Sequence, residues 1–313
     1  VSLKVGQTDL LSSFDLVPDH VQAILARAEE LRRDLRAGKP TPLLQGLSAV
    51  MVFQKPSLRT RVTFDLGIHQ LGGYPIYLSP AEISMGVREP VSDVAKNLER
   101  WIDLIIARVF GHSIVEELAK ESRVPVINAL SDFEHPCQAM ADFLTLKDHG
   151  RLDQPFTLAY IGDGNNVCHS LLGIGSGLPR VHLRIAAPKG YEPAQELVTL
   201  AIDRARTQGG SIFITHDPKE AVRGADAVYT DVWASMGQET EAATRAKHFE
   251  GFQVNSDLMA LAKPEALFMH DLPAHRGEEV EAAVIDGKQS VIYDQAENRL
   301  HAQKAIMAYC LGV

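Results

Sequence analysis

Cysteine is scarce in this chain: Cys137, Cys168 and Cys310 are the only three in 313 residues. They stand far apart and show neither metal-ligand nor redox spacing, so a reduced, cytoplasmic chain is the simplest expectation. Long apolar runs are missing too. No stretch approaches the roughly 20 residues of a membrane-crossing helix, and the opening Val1-Ser2-Leu3-Lys4 has no apolar signal core. Positive charge is also short. With 31 Lys and Arg against 40 Asp and Glu, the formal charge is −9, which argues against nucleic acid or an anionic membrane as a partner, since both reward a basic face. Anions can still bind where arginines converge locally. Repeats and low-complexity tracts are absent.

What is present suits two ordinary domains. Apolar residues make up 45% of the chain, enough for large cores. Short β-branched runs alternate with helical patterns throughout. Strands are expected at Ala49–Phe53, Ile76–Leu78, Leu104–Phe110 and Val124–Ala129, then at Thr157–Ile161, Val181–Ala186, Ser211–Thr215, Ala227–Asp231, Ala266–His270 and Ser290–Tyr293. Segments such as Ser92–Asp103, Ser113–Ser122, Ala139–Leu146 and Ala194–Gln208 have helical apolar spacing. This alternation predicts an α/β protein with two doubly wound parallel-sheet domains of similar size, joined by helices. The polar stretch Lys147–Pro155 is the best boundary, giving domains over 1–147 and 148–296. The helical segment Glu297–Leu311, within 297–313, is expected to pack back on the first domain. In such folds ligands bind beyond the carboxyl ends of the strands.

The polar motifs sit at those strand ends. Ser57-Leu58-Arg59-Thr60-Arg61 follows the apolar run Ala49–Phe53 and opens an amphipathic segment. A helix start offers unpaired N–H groups and a positive dipole end, Ser57 occupies the N-cap position, and Arg59 and Arg61 supply forks suited to phosphate. The same residues would also make a plain capped helix with Arg61 paired to Asp65. Arg108 lies inside an apolar run, where an unpaired guanidinium would be costly. His135 and Gln138 stand three apart at a helix start, an imidazole and an amide able to donate to a carbonyl oxygen. Ile161-Gly162-Asp163-Gly164-Asn165-Asn166 looks like half of a dinucleotide fingerprint, but Val167 stands where the third glycine belongs and no acidic residue ends the next strand. Asn165 and Asn166 are therefore read as polar contacts to a small ligand. Asp231 at a strand end can hold an ammonium group, and Ser235-Met236-Gly237 reads as a loop. His270-Asp271-Leu272-Pro273 completes the set.

In order and spacing, from Phe53 to at least Arg299, these motifs resemble the aspartate/ornithine carbamoyltransferase family. Ser57-Leu58-Arg59-Thr60-Arg61 matches its S-x-R-T-R phosphate motif, and His135-Pro136-Cys137-Gln138 matches H-P-x-Q. Asp231-Val232-Trp233-Ala234-Ser235-Met236-Gly237-Gln238-Glu239 matches the ornithine-type signature. The resemblance implies that Ser57, Arg59, Thr60 and the Leu58 backbone hold the phosphate of carbamoyl phosphate, with help from Arg108. It implies that Thr60, Arg108 and His135 polarise the carbamoyl oxygen while Gln138 holds the carbamoyl amide. Ornithine would present its α-amino group to Asp231 and Ser235 and its carboxylate to Asn166 and the Met236 backbone. Its δ-amine would then attack, giving citrulline and phosphate for arginine synthesis. Asp271, Leu272 and Arg299 would line the same site, Arg299 from the final helix. No metal or organic cofactor is implied, and the partners are the two small substrates and copies of the chain in a trimer or a multiple of it.

Two positions depart from the family pattern. Asp271 stands where H-C-L-P has cysteine, and a carboxylate there would raise the pKa of the attacking amine and move the pH optimum upward. Ser84 stands where relatives often carry histidine or glutamine reaching into a neighbouring subunit. The rival readings are transfer to another amine such as putrescine, a catalytically weak paralogue that binds carbamoyl phosphate, and a dinucleotide oxidoreductase, which the broken glycine pattern disfavours. Aspartate is disfavoured as acceptor because Asp231 and Asp271 would repel its side-chain carboxylate.

Overall fold

The computed structural model describes residues 6–83, 85–234 and 239–313; Ser84, Ser235 and Met236 lie outside the described residues. The chain divides into two compact units, one running to Leu144 and resuming over Glu297–Val313, the other spanning Thr145–Ala296.

The first unit holds β1 (Ser48–Phe53), β2 (Tyr74–Leu78), β3 (Leu104–Arg108) and β4 (Val126–Leu130), all parallel, in the order β2-β1-β3-β4. Val50, Val52, Ile105, Ala107 and Val126 are buried among the apolar faces of helices Val91–Leu98 and His112–Glu121. A strand covered on both faces reads as a continuous apolar run, and β1 and β3 do so. The edge strand β2 is only half-buried. Helix α1 (Leu58–Gln70) follows β1, and helix α2 (Pro136–Asp148) follows β4. From β1 the chain turns one way to β2 and later the other way to β4, so the strand order reverses between β1 and β3. Phe53 and Arg108, the last residues of those two strands, are in register. Such a reversal leaves a crevice at the carboxyl ends, the usual ligand position in this architecture.

The second unit repeats the plan. Strands β5 (Phe156–Ile161), β6 (Val181–Ala186), β7 (Ser211–Thr215), β8 (Ala227–Thr230) and β9 (Leu267–Met269) are parallel in the order β7-β6-β5-β8-β9. Here the reversal falls between β5 and β8. Helix α3 (Asn166–Ser176), which follows β5, is buried along its whole length. Gly164 in the connecting turn has no room for a side chain, since a Cβ there would lie 2.2 Å from the Pro193 nitrogen.

Helix α4 (Ile292–Leu311) brings the chain back to the first unit. Arg32 Nη1 donates to Asn298 Oδ1 at 2.7 Å, and Lys304 Nζ donates to Gln70 Oε1 at 3.1 Å. Gly67 of α1 lets the two helices close, a Cβ there being 3.3 Å from Lys304 Cγ and Met307 Cε. The expected strand Ser290–Tyr293 does not form. Ser290 makes one bridge to Phe268, Val291 donates one further hydrogen bond to it, and α4 then begins at Ile292. The short β-branched run is outweighed by the helical periodicity that goes on to bury Ala302, Ala305 and Ile306.

A buried ion pair ties two strand-end segments of the second unit together. Arg245 Nη1 lies 2.6 Å from Asp163 Oδ2 and donates to the Trp233 carbonyl at 3.0 Å, while Nε donates to Glu241. Burial pushes the Asp163 carboxyl up to about 6 despite the guanidinium beside it. Because the folded carboxyl holds its proton more tightly than the unfolded one, stability falls as pH rises from the unfolded pKa through 6. An Arg245→Met variant strands the carboxylate, and a loss of about 3 kcal/mol is expected at about pH 7.5. The loss shrinks at about pH 5, where Asp163 is protonated. Urea denaturation at the two pH values reads this directly; equal losses at both would assign the effect to packing instead.

Candidate active site

At the first reversal point, three donors meet on one buried hydroxyl. Ser57 has extended backbone and caps α1, its Oγ accepting the Thr60 N–H at 3.2 Å. The same hydroxyl lies 3.1 Å from Thr60 Oγ1. Arg108 Nη1, from the end of β3, reaches Thr60 Oγ1 at 3.3 Å, and Arg299 Nη2, from α4, reaches it at 2.7 Å. A hydroxyl oxygen has two lone pairs, so it cannot serve three donors well. The cluster is oversupplied with donors and positive charge, at a helix start whose dipole adds to both. Arg61, expected to share in this, lies instead over the Tyr77 ring, 3.9 Å from its centroid. Leu58 is exposed at the first position of α1.

His135 belongs to the same electrostatic neighbourhood. Its ring is buried, and burial first, then the charges of Arg299, Arg108 and Arg59, hold its pKa well below the ordinary imidazole value. The ring is therefore neutral and can offer one N–H to a carbonyl oxygen without adding a fourth cation. The turn that carries it is anchored from behind. Glu134, wholly buried, accepts from Ser12 Oγ at 2.7 Å and Ser13 Oγ at 2.9 Å, and the Ser131 hydroxyl accepts from the Glu134 N–H at 3.1 Å. Cys137 packs inward with its thiol 3.5 Å from the Asn128 carbonyl, and burial pushes its pKa to about 12. It is a structural cysteine, and Cys168 and Cys310 are likewise free and buried. Gln138, on the first turn of α2, donates from Nε2 to Asp142 Oδ1 at 2.8 Å.

The second reversal point holds the acidic cluster. Asn165 caps α3, its Oδ1 accepting from Val167 N at 3.0 Å and Cys168 N at 3.2 Å. Its Nδ2 donates to Asp231 Oδ2 at 2.7 Å. Asn165 thus both caps α3 and orients Asp231. Asn166, buried on the first turn of α3, meets the Val167 N–H through Oδ1 at 3.0 Å. The other oxygen of Asp231 accepts from Val232 N at 2.7 Å. Burial, and after it the negative charge of Asp271, raises the Asp231 pKa well above the carboxylate range, against the pull of His270 and the Asn165 bond. The Asp271 carboxyl beside it thus favours the protonated form of Asp231.

Behind Asp271, the buried His270 accepts the Leu272 N–H at Nδ1, 2.9 Å, which leaves Nε2 as the donor toward Glu279 Oε1 at 3.2 Å. Leu272 has φ 62° and precedes a cis peptide to Pro273. One donor atom each from Asp231, His270 and Asp271 lies within 4.8 Å of the others. A cation would fit that spacing, but both Asp231 oxygens already accept N–H groups.

Of the residues singled out from the sequence, Ser57, Arg59, Thr60, Arg108, His135 and Arg299 come together in the first unit, and Asp231 and Asp271 in the second. Ser84, Ser235 and Met236 lie outside the described residues. Sequence reasoning did not find Asn165 as a cap, His270–Glu279, or Asp142. Only Asp142 carried a local signal, standing four residues after Gln138 on one helix face.

A family model described as aspartate/ornithine carbamoyltransferase, carbamoyl-P binding domain, matches residues 8–148, and its companion, the Asp/Orn binding domain, matches 154–310. The ornithine carbamoyltransferase of Carboxydothermus hydrogenoformans is 50% identical over 304 residues, 97% of each chain. The anabolic ornithine carbamoyltransferase of Pyrococcus furiosus is 49% identical over 304 residues, 97% of this chain and 96% of that one. A solved structure of ornithine carbamoyltransferase from Pyrococcus furiosus superposes with a TM-score of 0.94, at 48% identity, covering 100% of this chain and 99% of that one.

Proposed function

Since the chain belongs to the aspartate/ornithine carbamoyltransferase family, we infer that it transfers the carbamoyl group of carbamoyl phosphate to the δ-amine of L-ornithine, giving L-citrulline and phosphate, in arginine synthesis. The observation that carries this is the convergence of Ser57, Arg108 and Arg299 on Thr60 beside a neutral His135. That arrangement suits a phosphate joined to a carbonyl: charge and donors for the anion, a neutral N–H for the oxygen.

In this reading residues up to 147, with the helix at 297–313, bind carbamoyl phosphate, and 148–296 bind ornithine. Ser57, Arg59, Thr60 and the Leu58 N–H grip the phosphate, aided by Arg108 and Arg299. Thr60, Arg108 and His135 stabilise charge on the carbamoyl oxygen as it becomes tetrahedral, and Gln138 meets the carbamoyl amide. Asp231 and Ser235 take the α-ammonium of ornithine, and Asn166 and the Met236 N–H take its carboxylate. The free δ-amine forms the C–N bond, the C–O bond to phosphate breaks, and the proton shed by nitrogen departs with phosphate. Positioning and fixed donors supply the rate.

The protein is proposed to be cytoplasmic; among the described residues no helix is long and apolar enough to cross a membrane. A homotrimer, or a multiple of it, is proposed as the assembly. Leu58, Val62 and Leu66 support association, being 76%, 50% and 41% exposed at four-residue intervals along one stripe of α1.

Citrulline formation from carbamoyl phosphate and ornithine, scanned from neutral to alkaline pH with putrescine in parallel, tests the function. Turnover with ornithine supports it; turnover with putrescine alone reassigns the acceptor; silence with both points to a binding protein. The same scan on Asp271→Cys tests the departure at that position. Negative charge on carboxylates at 231 and 271 favours the ammonium form of an amine beside them. The variant is expected to reach its optimum about one pH unit lower than the parent. Superimposable profiles would show that Asp271 does not act on the amine.

A further inference from the structure

The amide of Gln138 has two ends of nearly the same shape and opposite bonding: Oε1 accepts and Nε2 donates. Packing alone cannot tell them apart. Asp142 can. It lies four residues along α2, wholly buried, and receives Gln138 Nε2 at 2.8 Å. A carboxylate only accepts hydrogen bonds, so the nitrogen end must face Asp142 and the oxygen end must face away. Gln138 is itself 1% exposed, and its Oε1 is buried with no hydrogen-bond partner among the described residues. Leaving a buried acceptor so is unfavourable, and the loss is recovered when a donor is brought to it. A carbamoyl group ends in NH2, which donates and does not accept.

We propose that Asp142 is a positioning residue that locks the Gln138 amide with its oxygen toward the substrate, so that the site selects a carbamoyl NH2 over a group of the same size that cannot donate. The inference rests on the reading above, in which Gln138 meets the carbamoyl amide. Acetyl phosphate, with methyl in place of NH2, is the matched probe, and inorganic phosphate reports the anion grip alone.

Binding titrations with freshly prepared carbamoyl phosphate, acetyl phosphate and inorganic phosphate, which do not require turnover, provide the test. The parent protein should prefer carbamoyl over acetyl phosphate by about ten-fold or more. In Asp142→Asn the residue at 142 can donate as well as accept, the Gln138 amide is free to turn, and carbamoyl phosphate affinity should fall about ten-fold. Acetyl phosphate and inorganic phosphate should stay within about two-fold. Asp142→Ser, smaller and also able to donate, should do the same and guards against a variant that fails to fold. In a Gln138→Ala background, Asp142→Asn should leave the carbamoyl-to-acetyl ratio unchanged, since Asp142 acts only through Gln138. Equal losses for all three ligands would show a structural role, and an unchanged ratio in the Asp142 variants would show that the amide is oriented by something else; either overturns the proposal. Loss of citrulline formation in the parent with this discrimination intact would count against the transfer reaction and not against Asp142.

Discussion

An Arg108→Met variant is expected to lose about a thousand-fold in kcat/KM for carbamoyl phosphate while keeping its fold. Methionine preserves the aliphatic packing at the end of β3 and removes one of the two guanidinium groups on Thr60. What is lost is a charged donor in a buried site, where each such group is worth far more than in water. Arg108→Lys should recover only part of this, because an ammonium restores charge without the planar fork. A second readout separates the effect from general damage. Arg108 is one of the cations that depress the His135 pKa, so in labelled protein the His135 ring should titrate at higher pH in Arg108→Met than in the parent. Unchanged affinity for inorganic phosphate together with an unmoved His135 would remove Arg108 from the site.

The second large effect is expected in the other unit. Asp231→Asn should raise KM for ornithine by about 10²–10³-fold and leave phosphate affinity within about two-fold. The wild-type carboxylate is oriented by Asn165 Nδ2 on one oxygen and by the Val232 N–H on the other. An amide in that place must turn its NH2 against one of those donors, so both the charge for an ammonium and the local hydrogen bonding are lost. The pH profile provides the companion test. With one carboxyl fewer beside the amine, the optimum should move toward neutral pH, in the same direction as is expected for Asp271→Cys. An ornithine KM within a few-fold of the parent would place the amino-acid substrate elsewhere.

Strands such as Val181–Ala186 and Ser211–Thr215 were legible to the residue, because a β-branched run bounded by polar turns leaves little choice. Ser290–Tyr293 was not: four residues are too few to distinguish a strand from the first turn of a long helix, and α4 prevailed. At the site, the residues that touch ligand in the proposed mechanism announce themselves as polar groups at strand ends. Their supports do not. The double use of Asn165, as a helix cap and as the partner of Asp231, depends on β5 and β8 lying side by side although Ala227 is far along the chain from Leu158. His270 and Glu279 meet within a buried turn that no periodicity marks. Arg61 looked as suitable for phosphate as Arg59, and only the nearness of Tyr77 on β2 decides that it stacks instead.

The contact between Arg299 and Thr60 joins residues 239 positions apart. On the ribosome, therefore, the first unit can pair β1 to β4 and expose Ser57, Thr60 and Arg108 long before Arg299 has been made. A nascent chain at that stage has the Thr60 hydroxyl without its Arg299 donor. The Arg299 contact can close only after the whole second unit has been made, so the Thr60 cluster is the last part of the first unit to be completed in the order of synthesis.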